Sequence, residues 1–239
     1  MRNVYEGSGY AAGYAELDWD GTYYLIKRDL PRLLKLHATT GRAFDFGCGA
    51  GRSTRLLHDL GYLVEGVDVS KAMIEEARRT SPDLTFHTIS DGDFSNFEAG
   101  TYDLVLACFP FDNIAGVGRK ANLMRSLGKL LRPGGVFVNV VSSVDIYERE
   151  WVSFTTEAFP ENRGAQNEEI VRIVTRSFKD SPVCDDIRCD DSGYGAIYDS
   201  ANLRVSDCLR PLGNAGDPVE WLSETEVSPW VLWVLTPQL

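Results

Sequence analysis

The fold is decided by residues 43–78, which read AFDFGCGAGRSTRLLHDLGYLVEGVDVSKAMIEEAR. An apolar run ends in three alternating glycines, Gly47, Gly49 and Gly51, and a helix-like segment follows it. A second apolar run then ends at Asp68, before another helix-like segment. The stretch therefore predicts two strand–helix units in succession, the repeat from which a parallel sheet is built.

The same alternation continues along the chain to about residue 142 and then breaks. Continuous apolar strands are typical of a sheet covered by helices on both faces, and the last two strands follow each other without a long helix, which favours an antiparallel pair. We therefore predict an α/β fold with a doubly wound, mostly parallel seven-stranded sheet and an antiparallel last strand. The predicted strands are 42–48, 63–69, 84–89, 102–109, 136–141, 203–210 and 230–235, and the predicted helices are 23–36, 52–60, 71–80, 120–131 and 192–201.

The 239 residues fit a single domain. Residues 143–189 are irregular and aromatic, with one strand-like run at 170–178, and are interpreted as a small lid insertion. The predicted parts of the domain are an N-terminal arm and helix (1–40), a ligand-binding core (42–142), the lid insertion (143–189) and a C-terminal helix and strand hairpin (190–239).

The charge balance excludes some partners. Acidic residues outnumber basic ones by 35 to 24, and the formal net charge is −11. Nucleic acids and anionic membranes are bound through clustered Lys and Arg, so neither is expected as a partner. The five cysteines include no CxxC pair, which favours reduced thiols in a cytoplasmic protein without a metal site.

The glycine turn has the spacing GxGxG, which differs from both GxGxxG and the phosphate-binding P-loop. Glycines permit tight turns and leave room for a ligand close to the backbone. Asp68 follows Gly51 by 17 residues, at the end of the second strand, where a carboxylate can accept hydrogen bonds from both ribose hydroxyls of an adenosine. Capping of the next helix is the alternative role for Asp68, and the two roles are compatible.

The order of motifs from Arg42 to Ser142 resembles that of the class I S-adenosylmethionine-dependent methyltransferases. The run quoted above resembles their first two motifs, and ISDGDF, TYDLVLACFPFDNI and LLRPGGVFVNVV resemble the third, fourth and fifth. The resemblance implies S-adenosylmethionine as cofactor. It also implies a cofactor site made of Asp45, Gly47, Gly49, Gly51, Asp68, Val69, Asp91, Gly92 and Cys108, with Tyr14 and Tyr23 of the arm closing over it.

Within that site the resemblance assigns each residue a part of the cofactor. Asp45 and the glycines would line the methionine and ribose side, Asp68 would hold the ribose, and Val69 would pack on the adenine. Asp91 would accept from the adenine amino group beside the Gly92 amide, although a solvated loop is the alternative for Asp91. Cys108 would offer its backbone carbonyl to the methionine ammonium.

The acceptor is expected above the sheet. Asp112 and Asn113 follow the fourth strand and, with Tyr24, are predicted to position it, although a simple turn explains Pro110 to Asn113 equally well. None of the three histidines is well placed for a base. Aromatic and acidic residues of the lid suit a flat or cationic acceptor, with packing inside the lid as the alternative role. The residues predicted to bind the acceptor are Tyr147, Trp151, Trp221 and Glu224.

The predicted function is methyl transfer to a nitrogen or oxygen of a small-molecule acceptor, mainly by proximity and orientation. One alternative is a non-catalytic protein of the same fold that binds the cofactor or a partner. A nicotinamide-dependent oxidoreductase is a further alternative that the GxGxG spacing disfavours. A monomer or homodimer is expected.

Overall fold

The structure, a computed structural model, describes residues 18–176 and 183–238. In this part of the chain the α-helices are α1 (Tyr24–His37), α2 (Arg52–Asp59), α3 (Lys71–Thr80), α4 (Val117–Leu130) and α5 (Asp191–Ser200). The strands are β1 (Arg42–Phe46), β2 (Leu63–Asp68), β3 (Thr85–Thr88), β4 (Tyr102–Cys108), β5 (Leu131–Ser142), β6 (Phe154–Thr155), β7 (Ile170–Thr175), β8 (Val183–Ile187), β9 (Leu203–Leu209) and β10 (Trp230–Pro237).

Seven strands form the main sheet in the order β3-β2-β1-β4-β5-β10-β9. The first five are parallel, and β10 runs antiparallel to both β5 and β9. Six strands therefore share one direction, and the last strand of the chain, β10, runs against them. The predicted fold class is confirmed.

Two hydrophobic cores cover the two faces of the sheet. Side chains alternate along β4, so that Leu104 and Leu106 join the core beneath α1, while Val105 and Ala107 join the core beneath α4 and α5. All four are fully buried. The near-continuous apolar sequence of the central strands is thus explained by burial on both faces.

The predicted lid insertion contains a second, three-stranded sheet in the order β6-β7-β8, with antiparallel pairs. Trp151, Phe154, Val171 and Ile173 from this region are buried in the same core as α1. The described part of the insertion is therefore packed as an integral part of the domain. The strand-like run predicted at 170–178 corresponds to β7, which ends at Thr175. Residues 177–182 lie outside the described range.

Two elements begin three or more residues before the predicted start. The predicted turn at Pro133 to Gly135 lies inside β5, which begins at Leu131 and shows an irregular register against β4 between Tyr102 and Leu104. Gly134 has a φ of 80°, so glycine lets the chain continue in the sheet through this irregularity. Helix α4 begins at Val117 rather than residue 120. In the described ranges, no helix combines the length and the apolar character needed to cross a bilayer.

Candidate functional site

A cavity of about 360 Å³ opens at the carboxyl ends of the parallel strands. Strands β1 and β4 are neighbours in the sheet. Strands β2 and β3 continue the sheet on the β1 side, and β5 continues it on the β4 side, so the strand order reverses between β1 and β4. The cavity therefore lies at the topological switch point. Its size falls in the range of about 300–1,000 Å³ that is typical of small-molecule sites. The side chains and backbone that line it come from the glycine turn, the ends of β2 and β4, the start of α4 and the strand β8.

The glycine turn between β1 and α2 forms the floor of this cavity. Gly47, Gly49 and Gly51 have φ angles of 69°, 53° and 86°, a region that other residues rarely adopt. A Cβ at Gly47 would lie 2.5 Å from Pro110, whereas a Cβ at Gly49 would meet no atom within 4 Å. Gly47 is therefore needed for the close approach of the β4 loop, and Gly49 leaves open space on the ligand side. Gly51 is the N-cap residue of α2 and, unlike Gly47 and Gly49, does not line the cavity.

Asp68 lies at the end of β2 and lines the cavity. Its Oδ2 accepts a hydrogen bond from the Gly49 amide at 2.9 Å, and its Oδ1 accepts one from the Ser70 amide at 2.8 Å. Burial raises its pKa, while these backbone donors lower it. Each carboxylate oxygen keeps further acceptor capacity, so Asp68 can both hold the turn and accept from a ligand hydroxyl. Val69 lines the cavity beside it with 47% of its surface exposed.

Asp45 supports the glycine turn from below. It is fully buried on β1, and its Oδ2 accepts from the hydroxyls of Ser53 (2.7 Å) and Thr54 (2.6 Å). Burial raises the pKa of Asp45 to about 6. Its Oδ1 is buried without a hydrogen-bond partner among the described residues. Asp45 thus fastens the turn to α2, and it does not itself line the cavity.

Asp91 lines the far end of the cavity, beyond β2. Its Oδ2 accepts from the Arg119 guanidinium at 2.6 Å, and about half of each side chain is exposed. Arg119 also lines the cavity, so this ion pair joins the loop after β3 to helix α4 across the rim. Gly92 is exposed next to Asp91 but is not part of the lining.

The opposite end of the cavity is formed where β4 stops. Cys108, Phe109, Pro110 and Asn113 line it, and Asp185 of β8 completes the wall. Phe109 has a φ of 72°, a strained angle for a side chain of this size. Burial raises the pKa of the Cys108 thiol to about 12, so this thiol stays protonated at neutral pH.

Asp112 departs from its predicted place. It is buried and does not line the cavity, because its Oδ2 accepts from the Ser142 amide at 3.0 Å and its Oδ1 from the Tyr194 hydroxyl at 3.2 Å. The prediction that Asp112 contacts the acceptor is therefore not supported. Asn113, its neighbour, does line the cavity and donates to Asp186 Oδ1 at 2.7 Å.

A pair of buried acids underlies this wall. Asp186 accepts from Asn113 and, at 3.1 Å, from the Tyr147 hydroxyl. Burial raises the pKa values of Asp186 and Asp112, and for Asp186 the negative charge of Asp112 raises it further. Asp186 thus fixes the orientation of Asn113 from behind.

Arg52, the first residue of α2, lines the cavity between the glycine turn and the N-terminal segment. Its Cζ lies 4.5 Å from the centroid of the Trp19 ring and 4.3 Å from that of Tyr23. The guanidinium also donates to the Asp18 carbonyl oxygen at 3.1 Å. Trp19 lines the cavity, whereas Tyr23 is buried behind it among Phe109, Phe154 and Trp230. Tyr14 lies outside the described residues.

The predicted acceptor-binding residues of the lid lie away from the cavity. Trp151 is fully buried and donates to the Ile146 carbonyl, and Tyr147 is held by Asp186. Tyr24 packs near Trp221, whose indole donates to Asp217. The prediction that these four side chains contact the acceptor is not supported, because each is used in packing or in a protein hydrogen bond.

Glu224 is likewise used within the protein. It is fully buried, and its Oε1 accepts from the Thr22 hydroxyl (2.6 Å) and the Val152 amide (2.9 Å). Its Oε2 accepts from the Leu222 amide at 3.0 Å. Glu224 therefore joins the N-terminal segment, the insertion and the loop before β10, which is a structural role in place of the predicted contact with the acceptor.

Some lining residues were missed by the sequence reasoning. None of the three histidines lines the cavity, in agreement with their expected poor placement for a base. In contrast, Trp19, Arg119 and Asp185 do so from segments whose positions depend on long-range packing. Arg52 carried a usable signal, since it directly follows the glycine turn.

Comparison with known proteins agrees with this geometry. Residues 44–139 match the family described as methyltransferase domain. The dTDP-3-amino-3,6-dideoxy-alpha-D-glucopyranose N,N-dimethyltransferase of Streptomyces fradiae is 31% identical over 120 residues, 48% of this chain and 46% of that protein. The ubiquinone biosynthesis O-methyltransferase of Nitrosococcus oceani is 31% identical over 98 residues, 39% of this chain and 40% of that protein. The chain thus spans less than half the length of these two relatives.

Among solved structures, the CcbJ methyltransferase of Streptomyces caelestis superposes with a TM-score of 0.67 over 100% of both chains, at 17% identity, and so shares the fold. The chain is thus similar to methyltransferases in two respects: residues 44–139 match the methyltransferase-domain family, and the fold is that of the CcbJ methyltransferase. The nicotinamide-dependent alternative is thereby not supported.

The residues present fit S-adenosylmethionine. The open space beside Gly49 leaves room for a ligand against the backbone, and the Asp68 carboxylate faces the same cavity. When bound, the cofactor supplies an activated methyl group. Asp68 and Asp91 would offer acceptors for its adenosine, and the glycine turn and Cys108 line the space beyond them.

Proposed function

We propose that this protein transfers the methyl group of S-adenosylmethionine to a nitrogen or oxygen atom of a small-molecule acceptor. The observation that carries the proposal is one cavity with two distinct ends. The glycine turn and Asp68 lie toward one end of the cavity. Phe109, Asn113 and Asp185 form the wall at its other end. The amino-sugar dimethyltransferase of S. fradiae and the O-methyltransferase of N. oceani are consistent with both acceptor atoms.

The chain's main contribution is placement of the acceptor. Asn113 lines the cavity, and its side chain is held in place by Asp186 at 2.7 Å. Phe109 and Ile114 supply apolar surface that displaces water from the reacting atoms. Holding the acceptor atom on the line of displacement supplies most of the rate in such a reaction.

The need for a base depends on the acceptor. A neutral amine can be methylated without prior loss of a proton, whereas a hydroxyl acceptor benefits from a general base. Asp185 is the side chain at this end that can take the proton, since it lines the cavity and is 41% exposed. Arg172, which donates to Asp185 at 3.0 Å, holds that carboxylate in place.

The same proposal covers the chemical class of the acceptor, the cellular location of the protein and its oligomeric state. The five cysteines include no CxxC pair, which agrees with a reducing, cytoplasmic environment. The net charge of −11 disfavours nucleic acid as the acceptor. We propose that the protein acts as a monomer or homodimer on a small-molecule acceptor.

Incubation with methyl-labelled S-adenosylmethionine and a panel of amines, phenols and carboxylic acids tests the proposal. We expect label in at least one nitrogen- or oxygen-containing acceptor, and loss of that label with Asn113→Ala. Binding of the cofactor without transfer to any acceptor of the panel would instead favour the non-catalytic alternative.

A further inference from the structure

A second cavity, of about 290 Å³, lies in the insertion, between residues 147–150 and residues 156–163. Among the described residues, none that lines it also lines the cavity beside the glycine turn. We infer that this second cavity binds a basic α-amino acid, a ligand with one carboxylate and two cationic groups. The inference goes beyond methyl transfer and does not depend on it.

The walls of the second cavity are held in place by buried hydrogen bonds. Asn162 is 2% exposed, and its Nδ2 donates to the carbonyl oxygens of Tyr147 at 2.9 Å and Arg172 at 2.8 Å. The Tyr147 hydroxyl donates to Asp186 at 3.1 Å, which fixes the orientation of the Tyr147 ring in the lining. A cavity with fixed walls has little conformational freedom to lose when a ligand binds.

Two of the charged side chains that line the second cavity already have partners within the protein. Glu150 forms an ion pair with Arg176, and its Oε1 also accepts from the Thr156 amide at 2.8 Å. The Arg149 guanidinium lies 3.6 Å from Glu226 Oε2. These two charges are therefore compensated inside the molecule and require no compensation by a ligand.

The other three charged side chains of the lining are Glu148, Glu157 and Arg163. Within residues 18–176 and 183–238, none of the three forms an ion pair or a side-chain hydrogen bond. Two carboxylates and one guanidinium are complementary to a ligand with two positive groups and one carboxylate. At neutral pH free lysine and arginine carry this set of charges, namely an α-ammonium, an α-carboxylate and a side-chain cation.

The apolar part of the lining suits the stem that joins these charges. Tyr147 and Phe159 contribute aromatic rings, and Pro160 contributes further apolar surface. Methylene chains of basic side chains pack on apolar surface, and their cations are attracted to aromatic rings. The volume of about 290 Å³ is close to the lower end of the range of about 300–1,000 Å³ for small-molecule sites, as expected for a ligand of amino-acid size.

Calorimetric titration of L-lysine and of L-arginine into the full chain, without S-adenosylmethionine, tests the inference. Glu157 and Arg163 are exposed, and ion pairs at exposed positions are weak, so we expect dissociation constants of about 0.1–1 mM. Two relatives of lysine separate the contacts, because L-norleucine lacks the side-chain cation and L-lysinamide lacks the carboxylate. Wild-type protein should bind each of them about 10-fold more weakly than L-lysine, since each leaves a charge of the cavity without its partner.

Variants assign these preferences to side chains of the lining. In Arg163→Gln the preference for L-lysine over L-lysinamide should disappear. In the double variant Glu148→Gln/Glu157→Gln the preference for L-lysine over L-norleucine should disappear. The matched control is Arg32→Gln, because the Arg32 side chain is 80% exposed on α1 and does not line the cavity. It should leave both preferences at their wild-type values.

The comparison of ligands on wild-type protein decides the question even if a variant does not fold. Wild-type protein that binds neither L-lysine nor L-arginine at millimolar concentration would overturn the inference, as would a folded Arg163→Gln protein that keeps the wild-type preference. Equal binding of L-lysine and L-lysinamide would indicate a site for basic side chains of a peptide and would also overturn it. Since no methyl donor is present, none of these outcomes bears on the proposed methyl transfer.

Discussion

The Asp68 carboxylate connects two backbone segments, the glycine turn through Gly49 and the start of α3 through Ser70. Its predicted helix-capping role and its predicted ligand role therefore meet in one side chain. The sequence identified this residue because an acid at the end of the second strand has a simple geometric meaning. Asp185 could not be found in this way, since it reaches the cavity only through the pairing of β8 with β7.

We expect Asp68→Ala to weaken binding of S-adenosylmethionine by about 1–3 kcal/mol, because ligand hydroxyls and the Gly49 amide lose their acceptor. Calorimetry gives the affinity, and chemical denaturation gives the stability. Asp190→Ala is the control, since Asp190 caps α5 through Gly193 at 2.8 Å, away from the cavity. It should lower stability by about 1 kcal/mol and leave the affinity unchanged. Equal affinities of wild type and folded Asp68→Ala would remove Asp68 from the ligand site.

The two glycines of the turn should respond differently to alanine. Gly49→Ala places a methyl group in open space on the cavity side, so it should reduce ligand affinity with a stability loss of only about 1 kcal/mol from the positive φ. Gly47→Ala meets Pro110 at 2.5 Å and should destabilise the fold further. Thermal unfolding and ligand titration of both variants check this. A Gly49→Ala protein with full affinity would show that the ligand lies elsewhere.

At the scale of elements, the strand–helix alternation was predictable because each strand is apolar and each helix is amphipathic. The sheet β6-β7-β8 was not, since β6 has two residues and β8 reads VCDDI, with two acids. One of these acids, Asp186, is buried by its bonds to Asn113 and Tyr147, which are distant in sequence. Local patterns do not reveal such partners, and the lid was therefore predicted as irregular.

Glu224 joins three elements of the domain, and its removal should be costly. Glu224→Ala leaves the Val152 and Leu222 amides and the Thr22 hydroxyl without their acceptor, so we expect a loss of about 2–4 kcal/mol in the free energy of unfolding. Glu226→Ala is the matched control, because that carboxylate is 76% exposed. It should change stability by less than about 0.5 kcal/mol. Similar denaturation midpoints for the two variants would contradict the structural role of Glu224.

The buried acid Asp186 should make stability depend on pH. Its pKa rises from 3.8 to about 8 on folding, because burial and the charge of Asp112 disfavour the ionised form. The folded protein therefore binds a proton more tightly than the unfolded chain, and the free energy of unfolding falls as pH rises through this interval.

Asp186→Asn should remove much of this fall and raise stability at the alkaline end. The remaining slope comes from Asp112 and Asp45, whose pKa values are also raised. Melting temperatures measured across the same interval provide the test. The exposed Asp199→Asn should reproduce the wild-type profile. An Asp186→Asn protein with the wild-type slope would contradict an ionisable, buried Asp186.

At the scale of the whole molecule, the doubly wound sheet brings residues from several separate segments of the chain to one cavity at its carboxyl edge. The core of this arrangement lies in residues 44–139, where the motif order could be read from the sequence. The remaining walls come from Trp19 and Asp185. The packing of the insertion against the α1 core brings Asp185 into place. The wall formed by Phe109, Asn113 and Asp185 is therefore the part of the site that depends most on tertiary structure.

Titration of S-adenosylmethionine and of its demethylated product into the purified, folded protein tests the central claim most directly. We predict one binding site per chain, with affinity in the micromolar range for both ligands and mutual competition between them. A titration without binding of either ligand, in protein whose folding is verified by circular dichroism, would contradict the assignment of the cavity to this cofactor.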